Sequence, residues 1–342
     1  MPSRFAGPLR TPRLRARIIV AALLLAGAAA PAAAEPATVR IGLQYGLVYL
    51  PVMVAEKAGF FDTRAKAAGL DGMNVTLTRF SGSTAMNDAL LSDSIEFGTL
   101  GSAGALIAWD KTRGRQQVKS LCALSSVTYT LFTNKPGVAA LKDFAFGDKV
   151  AVPAFNSPQA ILLRAAAAKE PAGTVKIDAL LMSLPHPDAT AAVLAGQTVT
   201  GYFSTPPFTQ VLKADKRVRA IMTSTGLIGD GDITAATLNA KQGYVDDNPK
   251  VAAAVLAGME DAFALIRDDP KRAAQIYLAS EQVNLTPAQV EEILADRTVV
   301  YDPAPKGMVA LAQAMAAQGF LRKVPANWQE IFFPGLKADG GS

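Results

Sequence analysis

The sequence VRIGLQYGLVYLPVMVAEKAGFF, residues 39–61, contains the pattern that decides the fold. The apolar run from Val39 to Leu43 predicts a β-strand. Pro51 to Ala58 predicts an α-helix that ends before Gly59, because proline suits the first turn of a helix and glycine the residue after its last turn. The polar residues between them join the carboxyl end of a strand to the start of a helix. We therefore expect this segment to begin a βαβ unit.

The same order of strand, polar turn and helix recurs over the next fifty residues. Strands are predicted at Asn74 to Arg79 and at Ile95 to Gly98. Each is followed by a predicted helix, from Thr84 to Leu91 and from Ser102 to about Lys111. Strands that alternate with helices indicate a parallel sheet covered by helices.

The segment from Lys119 to Thr133 is strand-like, and Pro136-Gly137 after it indicates a turn. A second lobe is predicted to begin in this region. The pattern then repeats. Strands are predicted at 149–152, 177–182, 199–203 and 218–222, and helices at 158–168 and 188–194.

Beyond Asp246 the pattern is helical, with Pro249, Pro270 and Pro287 at three predicted helix starts. We expect these helices to pack on the first lobe. The sequence thus predicts an α/β protein with a discontinuous first lobe and a continuous second lobe, joined by a hinge of two chain crossings. The predicted boundaries are 35–128 plus 235–342 for the first lobe and 129–234 for the second.

The N-terminal segment, residues 1–34, has the features of a cleaved export signal. Five arginines precede an apolar run from Ile18 to Ala30, and Ala32 to Ala34 form an A-x-A site before Glu35. The apolar run is shorter than the roughly 20 residues that a membrane-spanning helix needs. No cysteine lies near the cleavage point, so we expect no lipid anchor.

Charge and composition exclude several classes of function. The five arginines of the signal account for the net charge of +5, so about 308 mature residues carry no net charge and have no electrostatic attraction for nucleic acid. The single cysteine and the single histidine cannot form an intramolecular disulfide or a Cys/His zinc site. We predict a buried Cys122, a loop position for His186, and no metal, cofactor or catalytic residue.

Polar loops follow several predicted strands, at the place where α/β sheets bind ligands. Hydroxyls there adjoin the unpaired N–H groups and positive dipole end of a helix. Two alternatives stay open, since the serines can simply cap their helices and the tyrosines can belong to ordinary packing. The candidate ligand-binding residues are Gln44, Tyr45, Tyr49, Ser83, Thr84, Gly101, Ser102, Thr128, Asn156, Ser157, Ser204 and Thr205.

Five segments resemble, in order and spacing, those of one protein family. Residues 50–61 resemble a P-x-x-x-A-x-x-x-G-[FY]-F pattern, and Ser81-Gly82-Ser83-Thr84, 95–101, 141–152 and 191–196 resemble further segments. The family is that of the periplasmic solute-binding proteins of the nitrate, sulfonate, taurine and bicarbonate type, which serve ABC importers. It is similar in turn to the proteins of thiamine-pyrimidine biosynthesis. The resemblance covers nearly the whole mature chain.

The resemblance implies a type II periplasmic-binding fold, two lobes that close on a ligand, and delivery of that ligand to an ABC permease in the inner membrane. We expect a periplasmic monomer without enzymatic activity. By position it implies ligand contacts from nine of the twelve candidates, all except Gln44, Tyr49 and Thr128. The expected ligand is a small organic or inorganic anion such as a sulfonate. The candidate loops contain no arginine or lysine, so a neutral or aromatic ligand stays open. Glu96 and the segment 198–201 depart from the family pattern.

The alternative functions are a thiamine-pyrimidine-type enzyme and a sensor of neutral or aromatic ligands on the same fold. An enzyme would need placed acids, bases or nucleophiles, and the sequence has no G-x-S-x-G elbow. Asp230-Gly231-Asp232 lacks the further ligands of a calcium loop. Solute binding is therefore the preferred interpretation.

Overall fold

The structure is a computed structural model that describes most of the chain after residue 34. Its compact unit from Pro36 to Ser342 contains every element discussed below. The predicted signal, apart from Met1 and Ser3, lies outside the described residues, as does Asp230-Gly231-Asp232. Within the described part, none of the helices is both long and apolar enough to cross a bilayer. The described residues are 1, 3, 35, 38–171, 175–229, 233–296, 299–334 and 341–342.

The first sheet has six strands, and we call it, with the helices packed on it, lobe 1. The strands are β1 (Thr38–Leu43), β2 (Asn74–Arg79), β3 (Phe97–Gly101), β4 (Val118–Val127), β10 (Ile233–Lys241) and β11 (Val299–Val300), in the order β11-β4-β10-β3-β1-β2. Strands β1, β2 and β3 are parallel, whereas β10 runs antiparallel to both β3 and β4. The predicted parallel sheet is therefore correct for only half of the strands.

The second sheet has five strands and forms lobe 2 with its helices. The strands are β5 (Thr130–Thr133), β6 (Val150–Val152), β7 (Leu181–Ser183), β8 (Gly201–Ser204) and β9 (Arg219–Thr223), in the order β7-β6-β8-β5-β9. Strand β6 is parallel to β7 and β8, and β5 is antiparallel to β8 and β9. The carboxyl ends of β6, β7 and β8 thus lie at one edge.

The chain passes from one sheet to the other at residues 128–129 and again between Thr223 and Ile233. The strand predicted from Lys119 to Thr133 is in fact two strands, because β4 belongs to the first sheet and β5 to the second. The strand predicted at 177–182 is also wrong in part, since residues 177–180 form a helical turn.

Helices cover both sheets, and four of the described ones were not predicted, at Phe60–Ala67, Ile177–Leu180, Phe208–Lys213 and Gln242–Asp247. The three helices expected after Pro249, Pro270 and Pro287 are confirmed. The helices are α1 (Leu50–Lys57), α2 (Phe60–Ala67), α3 (Ser83–Leu91), α4 (Ser102–Thr112), α5 (Pro158–Ala168), α6 (Ile177–Leu180), α7 (His186–Ala195), α8 (Phe208–Lys213), α9 (Gln242–Asp247), α10 (Pro249–Asp268), α11 (Pro270–Ser280), α12 (Pro287–Ala295) and α13 (Met308–Ala317).

The C-terminal helices pack on lobe 1 through apolar faces. Helix α10 contacts α1 and α2, and Gly258 permits this approach because a Cβ there would lie 2.8 Å from the ring of Phe61. Helix α13 differs, since it contacts α4 of lobe 1 and α5 of lobe 2. Gln318, directly after α13, donates from Nε2 to the carbonyl of Ile161 at 3.1 Å. The C-terminal segment thus provides a contact between lobes that the sequence did not predict.

Candidate ligand-binding cleft

The carboxyl ends of the parallel strands in both sheets meet at one small cavity between the lobes. Its volume is about 20 Å³, which is room for about one water molecule. Residues at the carboxyl ends of β1, β2 and β3 and of β6, β7 and β8 form most of its wall, as expected for an α/β protein. The lining residues are Gln44, Val48, Tyr49, Ser83, Gly101, Tyr129, Pro153, Ala154, Ser157, Pro158, Gln159, His186, Thr205 and Ala235.

Four helix N-termini contribute to the cavity wall. Helix α3 begins at the lining residue Ser83, α4 follows Gly101, α5 begins at Pro158 and α7 begins at His186. Each contributes the positive end of a helix dipole and backbone N–H groups without a helical partner. None of the fourteen lining residues is an aspartate, glutamate, lysine or arginine. The wall therefore presents backbone N–H groups and the positive ends of helix dipoles but no charged side chain.

The cavity wall contains three buried hydroxyls that can donate to a ligand, and one of them has no hydrogen-bond partner within the described residues. Thr205 is 1% exposed, and its Oγ1 has none. Tyr49 and Tyr129 are buried as well, and burial raises the pKa of both phenols, so their hydroxyls stay protonated and can donate. Buried polar groups in folded proteins are rarely left unpaired. These hydroxyls indicate a site built for a ligand that accepts hydrogen bonds.

His186 lies in the wall of the cavity, and the prediction that it occupies a loop is wrong. It is the first residue of α7 and is buried. Its Nδ1 shares a hydrogen bond with the Tyr202 hydroxyl, and its ring stacks on Phe208 with centroids 5.5 Å apart. Burial lowers the pKa of His186 to about 3, so the imidazole is neutral at physiological pH. Pro187 fits the first turn of the helix, and this signal was available in the sequence.

Six of the twelve predicted residues line the cavity. Gln44 donates from Nε2 to the carbonyl of Thr99 at 2.7 Å, and Ser83 accepts from the Gly101 amide at 3.2 Å. Ser157 caps α5 by accepting from the amide of Ala160 at 3.3 Å. Helix capping and a position in the cavity wall are therefore compatible, because Ser157 caps its helix and also lines the cavity. The six are Gln44, Tyr49, Ser83, Gly101, Ser157 and Thr205.

The other six predicted residues do not line the cavity in this arrangement. Thr84 and Asn156 meet at its mouth, where Thr84 Oγ1 lies 3.3 Å from Asn156 Oδ1 and joins the two lobes. Ser204 uses its hydroxyl within lobe 2, donating to the carbonyl of Thr130 at 3.1 Å.

The last three are Tyr45, Ser102 and Thr128. Tyr45 packs on an apolar cluster of lobe 2, with the Arg79 guanidinium 5.0 Å from its ring. Ser102 is fully buried at the start of α4, and Thr128 lies half-buried between the two sheets. Ligand contact by the six residues outside the cavity stays a prediction.

Glu281 is a site residue that the sequence did not indicate. Both of its carboxylate oxygens accept from the Gly46 amide at 2.9 Å, and the Tyr277 hydroxyl donates to it at 3.2 Å. Arg79 pairs with it at 3.2 Å and also donates to the carbonyl of Gln44 at 2.7 Å. Burial raises the pKa of Glu281 despite these partners. The carboxylate thus ties the loop after β1 to the end of α11.

Other features of the molecule give less support for a functional site than this cavity does. A crevice of about 720 Å³ between α8 and α12 is larger, but it lies between helix surfaces and none of the predicted residues lines it. Within the part of the chain that the structure describes, His, Cys, Asp and Glu form no group placed to hold a metal ion. Cys122 is buried as predicted, and burial raises the pKa of its thiol to about 12.

The family model for the NMT1-like family matches residues 32–281. The chain belongs to the NMT1-like family. A search of curated proteins found no match. Solved structures similar to this NMT1-like protein include the alkanesulfonate-binding protein SsuA from Xanthomonas axonopodis pv. citri bound to MOPS. That structure has a TM-score of 0.67 and 22% identity over 85% of this chain and 96% of the other.

A second similar structure is the periplasmic nitrate-binding protein NrtA from Synechocystis PCC 6803. Its TM-score is 0.63, with 16% identity over 86% of this chain and 84% of the other. At such identities the likeness establishes the fold. The predicted two-lobed periplasmic-binding fold and the family resemblance are thus confirmed for this NMT1-like protein.

Proposed function

We propose that this NMT1-like protein is the extracytoplasmic solute-binding component of an ABC importer. The observation that carries the proposal is the cavity between the lobes, lined by the buried phenols of Tyr49 and Tyr129 and by the Thr205 hydroxyl, which has no partner in the described residues. Such groups are satisfied when a ligand accepts their hydrogen bonds. Family membership and the likeness to two solute-binding proteins support the same function.

The proposed ligand is a small oxygen-rich anion such as a sulfonate. Hydroxyl donors and four helix N-termini favour an acceptor with negative charge. Because no cationic side chain lines the cavity, the charge would be shared among neutral donors. The similar structures include proteins named for alkanesulfonate and nitrate binding. A neutral ligand with several oxygen acceptors is the alternative, which the two tyrosine rings would also accommodate.

Capture requires that the lobes separate. The cavity holds about 20 Å³, whereas sites for small molecules commonly measure hundreds of cubic ångströms. We propose that residues 35–128 with 235–342 move against residues 129–234, about the passages at 128–129 and between Thr223 and Ile233. A ligand that bridges the two walls then favours the closed form by its higher affinity for it.

The protein would act in the periplasm as a monomer and deliver its ligand to a permease in the inner membrane. The predicted cleaved signal supports this location. Catalysis is not part of the proposal, because the cavity wall presents a neutral histidine held by Tyr202 and no carboxylate, thiol or lysine. A partner permease would recognise the closed pair of lobes.

The test is a thermal-shift screen of the mature protein, followed by calorimetry. The panel holds alkanesulfonates, taurine, nitrate, bicarbonate, carboxylates and neutral pyrimidines. A ligand at 100 times its Kd stabilises the fold by about 2.7 kcal/mol. We expect one chemical class to bind and to be recovered unchanged by mass spectrometry. Conversion of a bound compound would favour the enzyme, and no binding by any member would contradict the proposed ligand class.

A further inference from the structure

The two lobes meet around the cavity through glycines of lobe 1 that lie against prolines of lobe 2. Gly46 lies against Pro206, Gly82 against Pro153, and Gly101 against Pro158. Next to the first contact, the amide of Leu47 donates to the carbonyl of Pro206 at 3.2 Å. Gly46 and Gly82 follow β1 and β2, and Gly101 is the last residue of β3. The contacts therefore surround the ends of β1, β2 and β3.

At two of these glycines the missing side chain permits the close approach of the lobes. A Cβ on Gly82 would lie 2.9 Å from the Pro153 carbonyl oxygen, and one on Gly101 would lie 3.0 Å from Cδ of Pro158. Both distances are shorter than ordinary contacts between protein atoms. Neither neighbour is the free end of a flexible side chain, so lobe 2 itself would have to move.

Backbone conformation does not require glycine at these two positions. Gly82 is extended, with φ 178°, and Gly101 has φ −57°. Any residue adopts these angles, so an alanine introduces no strain within lobe 1. Gly46 is different because its φ of 108° favours glycine for conformational reasons. A substitution at Gly82 or Gly101 therefore changes the contact between the lobes without straining the backbone of lobe 1.

We propose that Gly82 and Gly101 set the closest approach of the two lobes and thereby the size of the ligand that the closed cleft accepts. The walls that these contacts hold together include Ser83 and Ser157, which both line the cavity. A methyl group at either position keeps the walls apart, enlarges the cavity and lowers the population of the closed form. The inference rests on the proposed function for the role of the cleft, but its test needs no ligand.

The experiment measures lobe closure by disulfide trapping at the mouth of the cavity. Thr84 of lobe 1 and Asn156 of lobe 2 have side-chain oxygens 3.3 Å apart. In a Thr84→Cys/Asn156→Cys protein, mild oxidation forms the disulfide only from the closed form, so its rate reports the population of that form. Cys122 does not compete, because it is buried and its thiol has a pKa of about 12.

We expect Gly82→Ala and Gly101→Ala, each added to the double-cysteine protein, to slow disulfide formation by about tenfold or more. A tenfold change corresponds to about 1.4 kcal/mol against the closed form. The matched control is Gly137→Ala, since no atom lies within 4 Å of a Cβ there and its φ is not positive. Its trapping rate should equal that of the parent.

Melting temperatures of all variants establish that they fold. If Gly82→Ala does not fold, Gly101→Ala alone provides the test. Equal trapping rates in the folded alanine variants and the control would overturn the inference. So would a parent protein that never forms the disulfide, because the closed contact would then not be reached. The absence of any bound ligand in the screen would contradict the proposed ligand class and leave these rates unaffected.

Discussion

Two adjacent hydroxyls, those of Ser204 and Thr205, have opposite surroundings at the end of β8. The Ser204 hydroxyl shares a hydrogen bond with Thr209 at 2.7 Å and donates to the carbonyl of Thr130. The Thr205 hydroxyl is buried in the cavity wall without a partner in the described residues. The sequence marks both as candidates because both follow a strand. Only the position of each Oγ distinguishes a structural hydroxyl from one available to a ligand.

Replacement of Thr205 by valine should separate ligand binding from stability. Valine removes the unpaired hydroxyl, so the free energy of unfolding of the free protein should stay equal or rise. The affinity for the ligand should fall roughly tenfold, which corresponds to the loss of one hydrogen bond of about 1.4 kcal/mol. Urea denaturation and calorimetry measure the two quantities. Thr76→Val, on the exposed side of β2, is the control, and equal affinities in both variants would exclude a role for Thr205.

The buried His186 should make the protein less stable in mild acid. Its pKa falls from 6.5 to about 3 on folding, so between these values the unfolded chain binds a proton that the folded protein does not. The free energy of unfolding therefore decreases as pH falls below 6.5, by up to about 1.4 kcal/mol per pH unit. Urea denaturation between pH 7 and 5 should show a steeper fall than in His186→Asn. Parallel curves would show that His186 does not titrate in this way.

At the scale of elements, the loop after β1 depends on a residue from the end of α11. Glu281 is the acceptor for the Gly46 amide and the partner of Arg79, which in turn binds the carbonyl of Gln44. Loop and carboxylate are more than 200 residues apart in the chain. The part of the cavity wall that the loop after β1 forms is therefore held by the end of a helix that lies far away in the sequence.

Glu281→Ala should destabilise the protein by roughly 3 kcal/mol, because it leaves the Gly46 amide and part of Arg79 without a partner in a buried place. The matched control is Asp268→Ala, which removes an ion pair with Arg267 in which both side chains are about two-thirds exposed. We expect the control to change stability by less than about 0.5 kcal/mol. Urea denaturation measures both, and similar losses in the two variants would contradict the role of Glu281.

The strand β10 illustrates why an element at the centre of a sheet is difficult to predict. Eight of its nine residues are buried, from Ile233 to Ala240, so no alternation of polar and apolar residues marks it. Asn239 stands within it, where an amide is unusual, yet its Nδ2 donates to the carbonyl of Gly98 at 3.1 Å. The pairing with β3 and β4 compensates for the polar side chain.

For the whole molecule, a locked closed form should exclude the ligand. With about 20 Å³ between the lobes, only a ligand of a few atoms would enter without separation of the walls. The Thr84→Cys/Asn156→Cys protein, oxidised before the ligand is added, should therefore lose its thermal shift, and reduction should restore it. Each single-cysteine variant is the control, and its thermal shift should be the same before and after oxidation. Binding by the oxidised protein would show that entry does not require lobe separation.

The sequence by itself determined the class of this protein, because periodicity and helix starts are local. The strand at 39–43, the helix after Pro51 and the three proline-initiated helices near the C-terminus follow from neighbouring residues. The strand ends also predicted six of the fourteen residues of the cavity wall, since loops at carboxyl ends meet by topology in any α/β lobe.

Tertiary structure alone decided which of those loops face one another and what completes the wall. Tyr129, Gln159 and His186 enter the cavity because the two lobes close on each other, a contact that no local pattern records. Glu281 supports the wall through a hydrogen bond to Gly46 that spans most of the chain. Burial, which lowers the pKa of His186 and leaves Thr205 unpaired, is a property of the assembled fold and not of the residues that neighbour each other in sequence.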